Sequence, residues 1–322
     1  TGVLATNRSY NATTADTLNL SRAALAGLVS TDANDASKIA LDLSSVSANF
    51  SQANVGNGLA VTASGFGITG SAAANYLLQP VTGLLANITR ATLTLGGVTA
   101  NNKTYDGNAT ATLTIADTSP AALSGIFAGD TVGFDASGAT AQFGTSNAGT
   151  NLGVTASGFA LNGGSAGNYQ LQQPGGLTAT INPKQLTAVI VGSPTKVYDG
   201  TDSATLIATD YRLDGFVGSQ GASVPQSATA NYLTKNVGTG LGVASTLVTS
   251  DFVANAGTDL SNYILPTTGA GNNGVIQSKV IDLTGTRVYD GTATADSSLF
   301  GVLQGVNGET LGVTGSGTLV DK

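Results

Sequence analysis

The sequence repeats itself with a period of about 93 residues, and this period constrains the fold more than any other feature. The clearest sign is a Tyr-Asp-Gly tripeptide with a basic residue two positions before the tyrosine. Complete copies stand at Tyr105-Asp106-Gly107, Tyr198-Asp199-Gly200 and Tyr289-Asp290-Gly291, after Lys103, Lys196 and Arg287. A degenerate copy, Tyr10-Asn11-Ala12, follows Arg8. A motif that recurs at one spacing indicates repeated structural units, so we predict a tandem array.

Three further landmarks recur in the same order. An Asn-Val-Gly or Asn-Ala-Gly segment occupies 54–56, 147–149 and 236–238. An Asn-Tyr pair follows, and the three pairs are Asn75-Tyr76, Asn168-Tyr169 and Asn262-Tyr263. Each module then closes with an apolar segment, centred in turn on Ile88, Ile181 and Ile276. These landmarks predict modules at 1–89, 90–183 and 184–278, with 279–322 as the first half of a fourth. The first module lacks the strand that precedes the tyrosine in the others.

Each module reads as a series of short β-strands. Segments in which apolar residues alternate with Thr or other polar residues are separated by Gly, Asn, Asp and Ser, the pattern of an all-β domain. The best helical candidate, 120–127, would give at most two turns. We therefore predict an all-β fold of β-sandwich-like or β-grasp-like modules with at most one short helix each. Because the junctions contain no Gly/Ser or Pro-rich spacer, the array is predicted to form an elongated rod.

Composition excludes most catalytic chemistry. The chain has no His and no Cys, which removes Ser-His and Cys-His nucleophilic sites and the usual zinc, haem and iron–sulfur ligands. A net charge of −7 argues against nucleic-acid binding, and the apolar runs are too short to span a membrane. Nearby carboxylates, such as Asp199 with Asp202 or Asp32 with Asp35, are too few for a calcium site. No enzyme activity, metal or cofactor is predicted.

The Tyr-Asp-Gly tripeptide has two interpretations. In the structural one, Gly supplies a positive φ, Asp closes a tight turn onto the backbone, and Tyr packs over the neighbouring strand. In the functional one, Asp binds a cation or a sugar hydroxyl. The degenerate copy favours the structural role, because Asn11 can replace Asp in a turn but would weaken a cation site.

The basic-x-Tyr-Asp-Gly start, the central Asn-Val-Gly and the terminal Asn-Tyr-x-Leu together resemble the YDG/MBG-type repeats of large bacterial surface adhesins. These adhesins are filamentous-haemagglutinin-like and are often secreted by a two-partner outer-membrane route. The resemblance implies a secreted protein at the surface of a Gram-negative bacterium. In that setting the repeats form the stalk of a protein involved in cell adhesion or in the biofilm matrix.

The expected function is therefore structural, as an extracellular stalk or scaffold whose partners are the neighbouring repeats of the same chain. Two alternatives stay open. The groove at a module junction, with its Tyr and Asn side chains, could bind a surface polysaccharide. Alternatively, copies of the chain could assemble into a filament, with the strands of a neighbouring chain completing the half-module at 279–322. Neither nucleic acid nor membrane insertion is expected.

Overall fold

The computed structural model describes residues 1–225 and 229–320, and its regular structure is almost entirely β-strand. Over these residues, helical structure consists only of 3-10 turns of three or four residues. Alternate side chains are buried along strands such as Ser47–Phe50 and Thr140–Phe143, as the period-2 pattern of the sequence requires. The predicted all-β class and tandem modules are confirmed. No helix in the described residues is long and apolar enough to cross a membrane.

The first module contains one five-stranded sheet and two two-stranded sheets. Its strands are β1 (Leu4–Ala5), β2 (Arg8–Ser9), β3 (Ala15–Asp16), β4 (Leu18–Asn19), β5 (Ala40–Asp42), β6 (Ser47–Phe50), β7 (Gly56–Ser64), β8 (Gly67–Thr69) and β9 (Leu84–Thr89). The five-stranded order is β2-β9-β7-β6-β3, in which β2 and β9 are parallel and the other neighbours antiparallel. The smaller sheets pair β1 with β4 and β5 with β8.

The second module repeats this arrangement and adds a three-stranded sheet. Its strands are β10 (Ala91–Leu95), β11 (Val98–Ala100), β12 (Lys103–Thr104), β13 (Thr110–Ala111), β14 (Leu113–Ile115), β15 (Leu123–Ser124), β16 (Gly133–Asp135), β17 (Thr140–Phe143), β18 (Gly149–Ser157), β19 (Ala160–Asn162), β20 (Tyr169–Gln172) and β21 (Leu177–Asn182). The main order, β12-β21-β18-β17-β13, matches that of the first module. The added sheet has the order β15-β10-β20.

The third module joins strands equivalent to members of both sheets into one sheet of six strands, and it also has two separate two-stranded sheets. Its strands are β22 (Lys184–Gln185), β23 (Thr187–Ile190), β24 (Thr195–Val197), β25 (Tyr211–Asp214), β26 (Ala222–Ser223), β27 (Thr229–Tyr232), β28 (Gly238–Thr246), β29 (Val253–Ala254), β30 (Tyr263–Ile264) and β31 (Thr268–Gln277). The order is β25-β23-β31-β28-β27, and β24 also pairs with β31. The ten-residue β31 makes this possible because it pairs with β23 near its start and with β24 near its end.

The remaining segment contributes two small antiparallel pairs. Its strands are β32 (Thr294–Asp296), β33 (Leu303–Gln304), β34 (Thr310–Leu311) and β35 (Ser316–Thr318). Strand β32 pairs with β35, and β33 pairs with β34. Asp321 and Lys322, at the end of the predicted half-module, lie outside the described residues.

One 3-10 turn recurs in all three modules and ends at the asparagine of the Asn-Tyr pair, and the described residues contain several others. The 3-10 turns of the described residues are Ala73–Asn75, Pro120–Ala122, Ala166–Asn168, Ala208–Asp210, Thr249–Asp251, Leu260–Asn262, Ser297–Phe300 and Val306–Gly308. At 120–127, where the sequence favoured up to two helical turns, only the first turn forms. Ser119 caps it by accepting a hydrogen bond from the Ala121 N–H, and the chain then extends because Leu123 pairs with Leu95 and is buried.

The last strand of each module contributes a fully buried isoleucine to the core. Ile88, Ile181 and Ile276, the centres of the three apolar segments, are all at most 1% exposed. Each pairs in parallel with the basic residue of the same module, so Arg8 lies opposite Ile88 and Lys103 opposite Ile181. The tyrosine of the tripeptide therefore leaves the sheet directly beside a fully buried isoleucine.

The chain divides into two compact units whose borders differ from those of the modules. The first consists of Thr1–Asn102, Ala109–Thr145 and Asn151–Thr180, and the second of Lys103–Asn108, Ser146–Thr150 and Ile181–Lys322. Two short pieces of the second module thus belong to the unit of the third module. These pieces are the Tyr-Asp-Gly tripeptide with its flanks and the Asn-Ala-Gly segment.

Candidate functional site

The Tyr-Asp-Gly tripeptide forms a tight turn that the basic residue closes. In the third module the Lys196 Nζ donates to the Asp199 Oδ1 at 2.7 Å and to the Thr201 carbonyl at 2.8 Å. The same Asp199 oxygen accepts from the Thr201 N–H at 2.9 Å. The hydrogen bond from Lys196, followed by those from Thr201, holds the pKa of Asp199 well below its usual range. The predicted turn is thus present, and the basic residue is part of it.

The other copies close in the same way. Lys103 donates to Asp106 and to the Asn108 carbonyl, and Arg287 pairs with Asp290. In the degenerate copy Arg8 donates to the Asn11 Oδ1 and to a carbonyl two residues further on. An amide oxygen therefore replaces the carboxylate without changing the geometry of the turn.

The last position of the turn requires a left-handed backbone. Gly107, Gly200 and Gly291 have φ values of +81°, +76° and +78°, and Ala12 in the degenerate copy has +60°. A residue with a Cβ is strained in this region by about 1–2 kcal/mol. The turn at Tyr10-Asn11-Ala12 thus has the same shape as the others, but the backbone strain at Ala12 lowers its stability.

Replacing Ala12 with glycine should therefore stabilise the first module. Relief of the strain, offset by the larger entropy of glycine in the unfolded chain, predicts a gain of about 0.5–1 kcal/mol in the free energy of unfolding. Urea denaturation of the Ala12→Gly variant measures this gain. Gly291→Ala is the matched control, because an added Cβ there has open space around it and should cost only the conformational term. A loss of stability in Ala12→Gly would contradict the argument.

The tyrosine of each of the first three turns contacts the residues of the following module, and not merely a neighbouring strand as its sequence suggested. Tyr10 lies 4% exposed, edge-on to Tyr169 with ring centroids 5.3 Å apart. Its hydroxyl donates to Asp130, 3.0 Å away at Oδ2, and the Tyr169 hydroxyl donates to the same carboxylate. Tyr169 also accepts a hydrogen bond from the Phe127 N–H at 3.0 Å. One carboxylate and two tyrosines from consecutive modules thus form a single cluster.

The next junction repeats this cluster with an amide in place of the carboxylate. Tyr105 lies 5.3 Å from Tyr263 at an interplanar angle of 77°. The Gln220 Nε2 donates to the Tyr105 hydroxyl at 2.8 Å, while the Tyr263 hydroxyl donates to the Gln220 Oε1. Tyr263 accepts from the Val217 N–H at 3.1 Å. The arrangement therefore depends on a polar side chain that can serve two hydroxyls, and not on negative charge.

The asparagine of the second and of the third Asn-Tyr pair makes a further connection to the preceding module. The Asn168 Oδ1 accepts from the Val55 N–H at 3.0 Å, and its Nδ2 donates to the Asn54 Oδ1 at 3.0 Å. At the following junction the Asn262 Oδ1 accepts from the Ala148 N–H at 2.6 Å. The Asn-Val-Gly and Asn-Tyr landmarks, which are far apart within a module, therefore meet across a junction.

Tyr198, in the third turn of the chain, also contacts residues that follow its module. Its hydroxyl donates to the Glu309 carboxylate, and the Asn307 Nδ2 donates to the Asp199 carbonyl at 3.3 Å. The hydrogen bond to Glu309 raises the pKa of Tyr198. By contrast, Tyr289 in the fourth turn is 73% exposed.

The sequence did not identify the side chain that hydrogen-bonds to the hydroxyl of each turn tyrosine. These side chains are Asp130 for Tyr10, Gln220 for Tyr105 and Glu309 for Tyr198. Each of the three residues also closes a short turn by donating its backbone N–H to the carbonyl three residues earlier. Asp32 does the same in the first module. Because the four residues are of three types, a search for identical landmarks could not find them. An apolar residue three positions before a polar one, at Val29, Phe127, Val217 and Val306, was the available signal.

Burial and the shared carboxylate shift the pKa values in the first cluster. Burial, and then the hydrogen bond to Asp130, raise the pKa of Tyr169 to about 12, and the same causes raise the pKa of Tyr10. Burial alone would raise the pKa of Asp130, but the hydrogen bonds from Tyr169 and Tyr10 outweigh it and lower the pKa. The cluster is thus most stable with neutral tyrosines and an ionised Asp130.

These shifts predict a loss of stability in alkali. A raised tyrosine pKa stabilises the folded state fully below pH ~10, and this contribution disappears as the pH rises through the folded value. Stability should therefore fall as the pH rises from about 10 towards 12, while the ultraviolet absorbance of phenolate increases over the same range. Asp130→Asn should move part of this absorbance change to lower pH. An unchanged titration curve in that variant would contradict the assigned role of Asp130.

The site residues have no arrangement suited to metal binding. In the part of the chain that the structure describes, no group of three or more Asp or Glu side chains could hold a metal ion. Asp199 is held by Lys196, and Asp32 lies 3.7 Å from the Lys38 Nζ. The contacts of the turn carboxylates are therefore those of turn closure.

The family model described as the YDG domain matches the chain three times, at residues 1–83, 89–176 and 182–270. The chain belongs to the YDG domain family. The three matches start within two residues of the predicted module starts and end six to eight residues before the predicted module ends. Each YDG domain carries one turn and one Asn-Tyr pair. A search of curated proteins gave no significant match, and neither did a search of solved structures.

Proposed function

We propose that this array of YDG domains is a structural stalk or scaffold segment of an extracellular bacterial adhesin or biofilm-matrix filament. The observation that carries the proposal is the cluster at each module junction. Tyr105 of one domain is 4% exposed and packs on Tyr263 of the next. Asn262 is 1% exposed and hydrogen-bonds to Ala148 and Asn147 of the preceding domain. A buried contact of this kind resists bending and separation in a way that a flexible linker does not.

The scaffold role also agrees with the surface chemistry. Only 10% of the residues are charged, and the carboxylates of the turns are held by basic residues of the same turns. The surface therefore offers little charge for specific capture of a partner. Extended load-bearing segments need such inert surfaces, because unwanted adhesion along their length would compete with binding elsewhere.

Cell-surface labelling and adhesion competition test this proposal together. Antibodies against the purified segment should label intact cells of the source bacterium, and in-frame removal of two domains should reduce adhesion. The purified segment itself should not compete with those cells for their target. Competition by the segment would contradict a scaffold role, and absence of surface labelling would contradict the extracellular location.

Polysaccharide binding is the second candidate function. A polar cleft of about 620 Å³ lies within the first compact unit and is lined by Asn54, Arg90, Asp130 and Asn168 among others. Against it, the junction tyrosines Tyr10 and Tyr169 are 4% and 3% exposed and cannot stack on a sugar ring. Screening the chain on a glycan array separates the two functions. Saturable binding that Arg90→Ala removes would favour the cleft over the scaffold.

A further inference from the structure

In each of the three YDG domains, an early strand runs parallel to the last strand and bonds to it directly. In the third module β24 (Thr195–Val197) lies along the end of β31, with Lys196 opposite Ile276. The first and second modules have the shorter pairs β2 with β9 and β12 with β21, which are also parallel. We call these three strand pairs the parallel clamps. Each clamp joins a strand near the start of a module to the strand by which the chain leaves that module.

The direction of a clamp determines how it responds to tension. Tension along the chain acts on the start of the early strand and on the end of the last strand, and in a parallel pair these lie at opposite ends. The two strands are therefore pulled past each other, so that the evenly spaced hydrogen bonds between them are loaded together. Because forced unfolding is governed by the barrier to unfolding, a pair loaded in this way resists force more than a pair whose bonds open one after another.

The buried isoleucine of each last strand opposes sliding of the clamp. Ile276 is 1% exposed and belongs to a core cluster with Tyr232 and Val243. A slip of one residue would reverse the faces of the strand relative to its neighbours, so sliding also removes Ile276 from this cluster. Ile88 and Ile181 hold the same position in the other two clamps. Sliding thus costs apolar burial as well as hydrogen bonds.

The turn tyrosine connects a clamp to the following module. The Tyr105 N–H donates to the Asn182 carbonyl at 2.8 Å, which adds one bond to the clamp of the second module. The ring of Tyr105 packs on Tyr263 of the third module, and its hydroxyl bonds to Gln220. Strand β21 reaches the third module through the chain itself, whereas β12 reaches it through this ring. Tension at the junction therefore pulls on both strands of the clamp, which reduces the part that slides one strand past the other.

We propose that each YDG domain is a mechanical clamp that bears tension along the chain in shear, and that the turn tyrosine shares this tension between the two strands of the clamp. The inference rests on the stalk proposal for its biological purpose, but a force measurement tests the clamp wherever the chain is located. Absence of surface labelling would contradict the stalk alone, and a weak clamp would contradict this inference alone.

Single-molecule force measurements on the full chain test the clamp. Because the chain has no cysteine, a pair of introduced cysteines sets the two points of pulling. Ser193→Cys with Ser278→Cys loads the β24–β31 clamp in shear, whereas Val197→Cys with Ser278→Cys pulls its strands apart from one end, and all three positions are exposed. The three register pairs break together in shear and singly in the other geometry, so the unfolding force should be up to roughly threefold higher in shear. Equal forces, or a lower force in shear, would overturn the proposal.

A second pair of cysteines tests the turn tyrosine. Gly96→Cys, at a position with room for a side chain, combined with Ser193→Cys stretches the second module across its junction with the third. In this background Tyr105→Ala should lower the unfolding force more than Phe159→Ala, which removes a similarly buried ring that none of the junction contacts includes. Urea adjusted to give both variants the same free energy of unfolding removes the effect of overall stability. Equal forces under these conditions would overturn the role of the tyrosine.

Discussion

Replacing Tyr105 with alanine is expected to lower the free energy of unfolding by about 3–4 kcal/mol, the usual cost of truncating a buried aromatic side chain. Tyr105 is 4% exposed, packs edge-on against Tyr263 and shares Gln220 with it. The variant leaves a cavity beside Tyr263. Urea denaturation followed by circular dichroism measures the loss.

Two control variants separate the contribution of the ring from that of the hydroxyl, and the contribution of the junction from that of the turn itself. Tyr105→Phe keeps the ring and loses only the hydroxyl, so it should cost about 1 kcal/mol. Tyr289→Ala removes the same residue of the same tripeptide where it is 73% exposed, and at dilute concentration it should change stability by less than about 0.5 kcal/mol. Equal losses in Tyr105→Ala and Tyr289→Ala would show that the tyrosine acts within its own turn and not across the junction.

Replacing Asn262 with alanine is expected to cost about 2–3 kcal/mol, because it removes a buried side chain and leaves a partly buried backbone donor without its acceptor. The Asn262 Oδ1 accepts from the Ala148 N–H at 2.6 Å, and its Nδ2 donates to the Asn147 Oδ1 at 3.3 Å. The loss is measured as for Tyr105. Hydrogen exchange at the Ala148 amide should also accelerate, since its acceptor is gone.

Asn75→Ala is the matched control for this variant. Asn75 precedes Tyr76 as Asn262 precedes Tyr263, but it is exposed. Its replacement should change stability by less than about 0.5 kcal/mol. If Asn75→Ala is as costly as Asn262→Ala, the asparagine serves its own 3-10 turn and not the preceding module.

Much of the fold could be predicted from the sequence because its signals are local. Alternating polar and apolar residues predict the strands. Gly107 and Gly200 predict the turns, and both have the positive φ that such turns require. The burial of Ile88, Ile181 and Ile276 follows from their place in apolar segments. The helical candidate at 120–127 shows the limit, because pairing of Leu123 with Leu95 decides that segment and depends on distant residues.

The junction could not be predicted from the same signals. Its contacts join residues more than 110 positions apart, such as Tyr10 with Asp130 and Ala148 with Asn262. The sequence identified Tyr-Asp-Gly, Asn-Val-Gly and Asn-Tyr as landmarks of one module, but not that they meet those of the next. The stalk function and the extracellular setting stay predictions based on family resemblance, whereas membership of the YDG domain family is shown.

The central claim is that consecutive YDG domains share a buried cluster, and hydrogen exchange of the Tyr105→Ala variant tests it most directly. In the wild type the Val217 N–H donates to Tyr263 and the Ala148 N–H to Asn262. If Tyr105 supports this cluster, exchange should accelerate in third-module peptides containing Val217 and Tyr263 as well as around the substituted turn. Acceleration confined to peptides near residue 105, with the third module unchanged, would contradict the account.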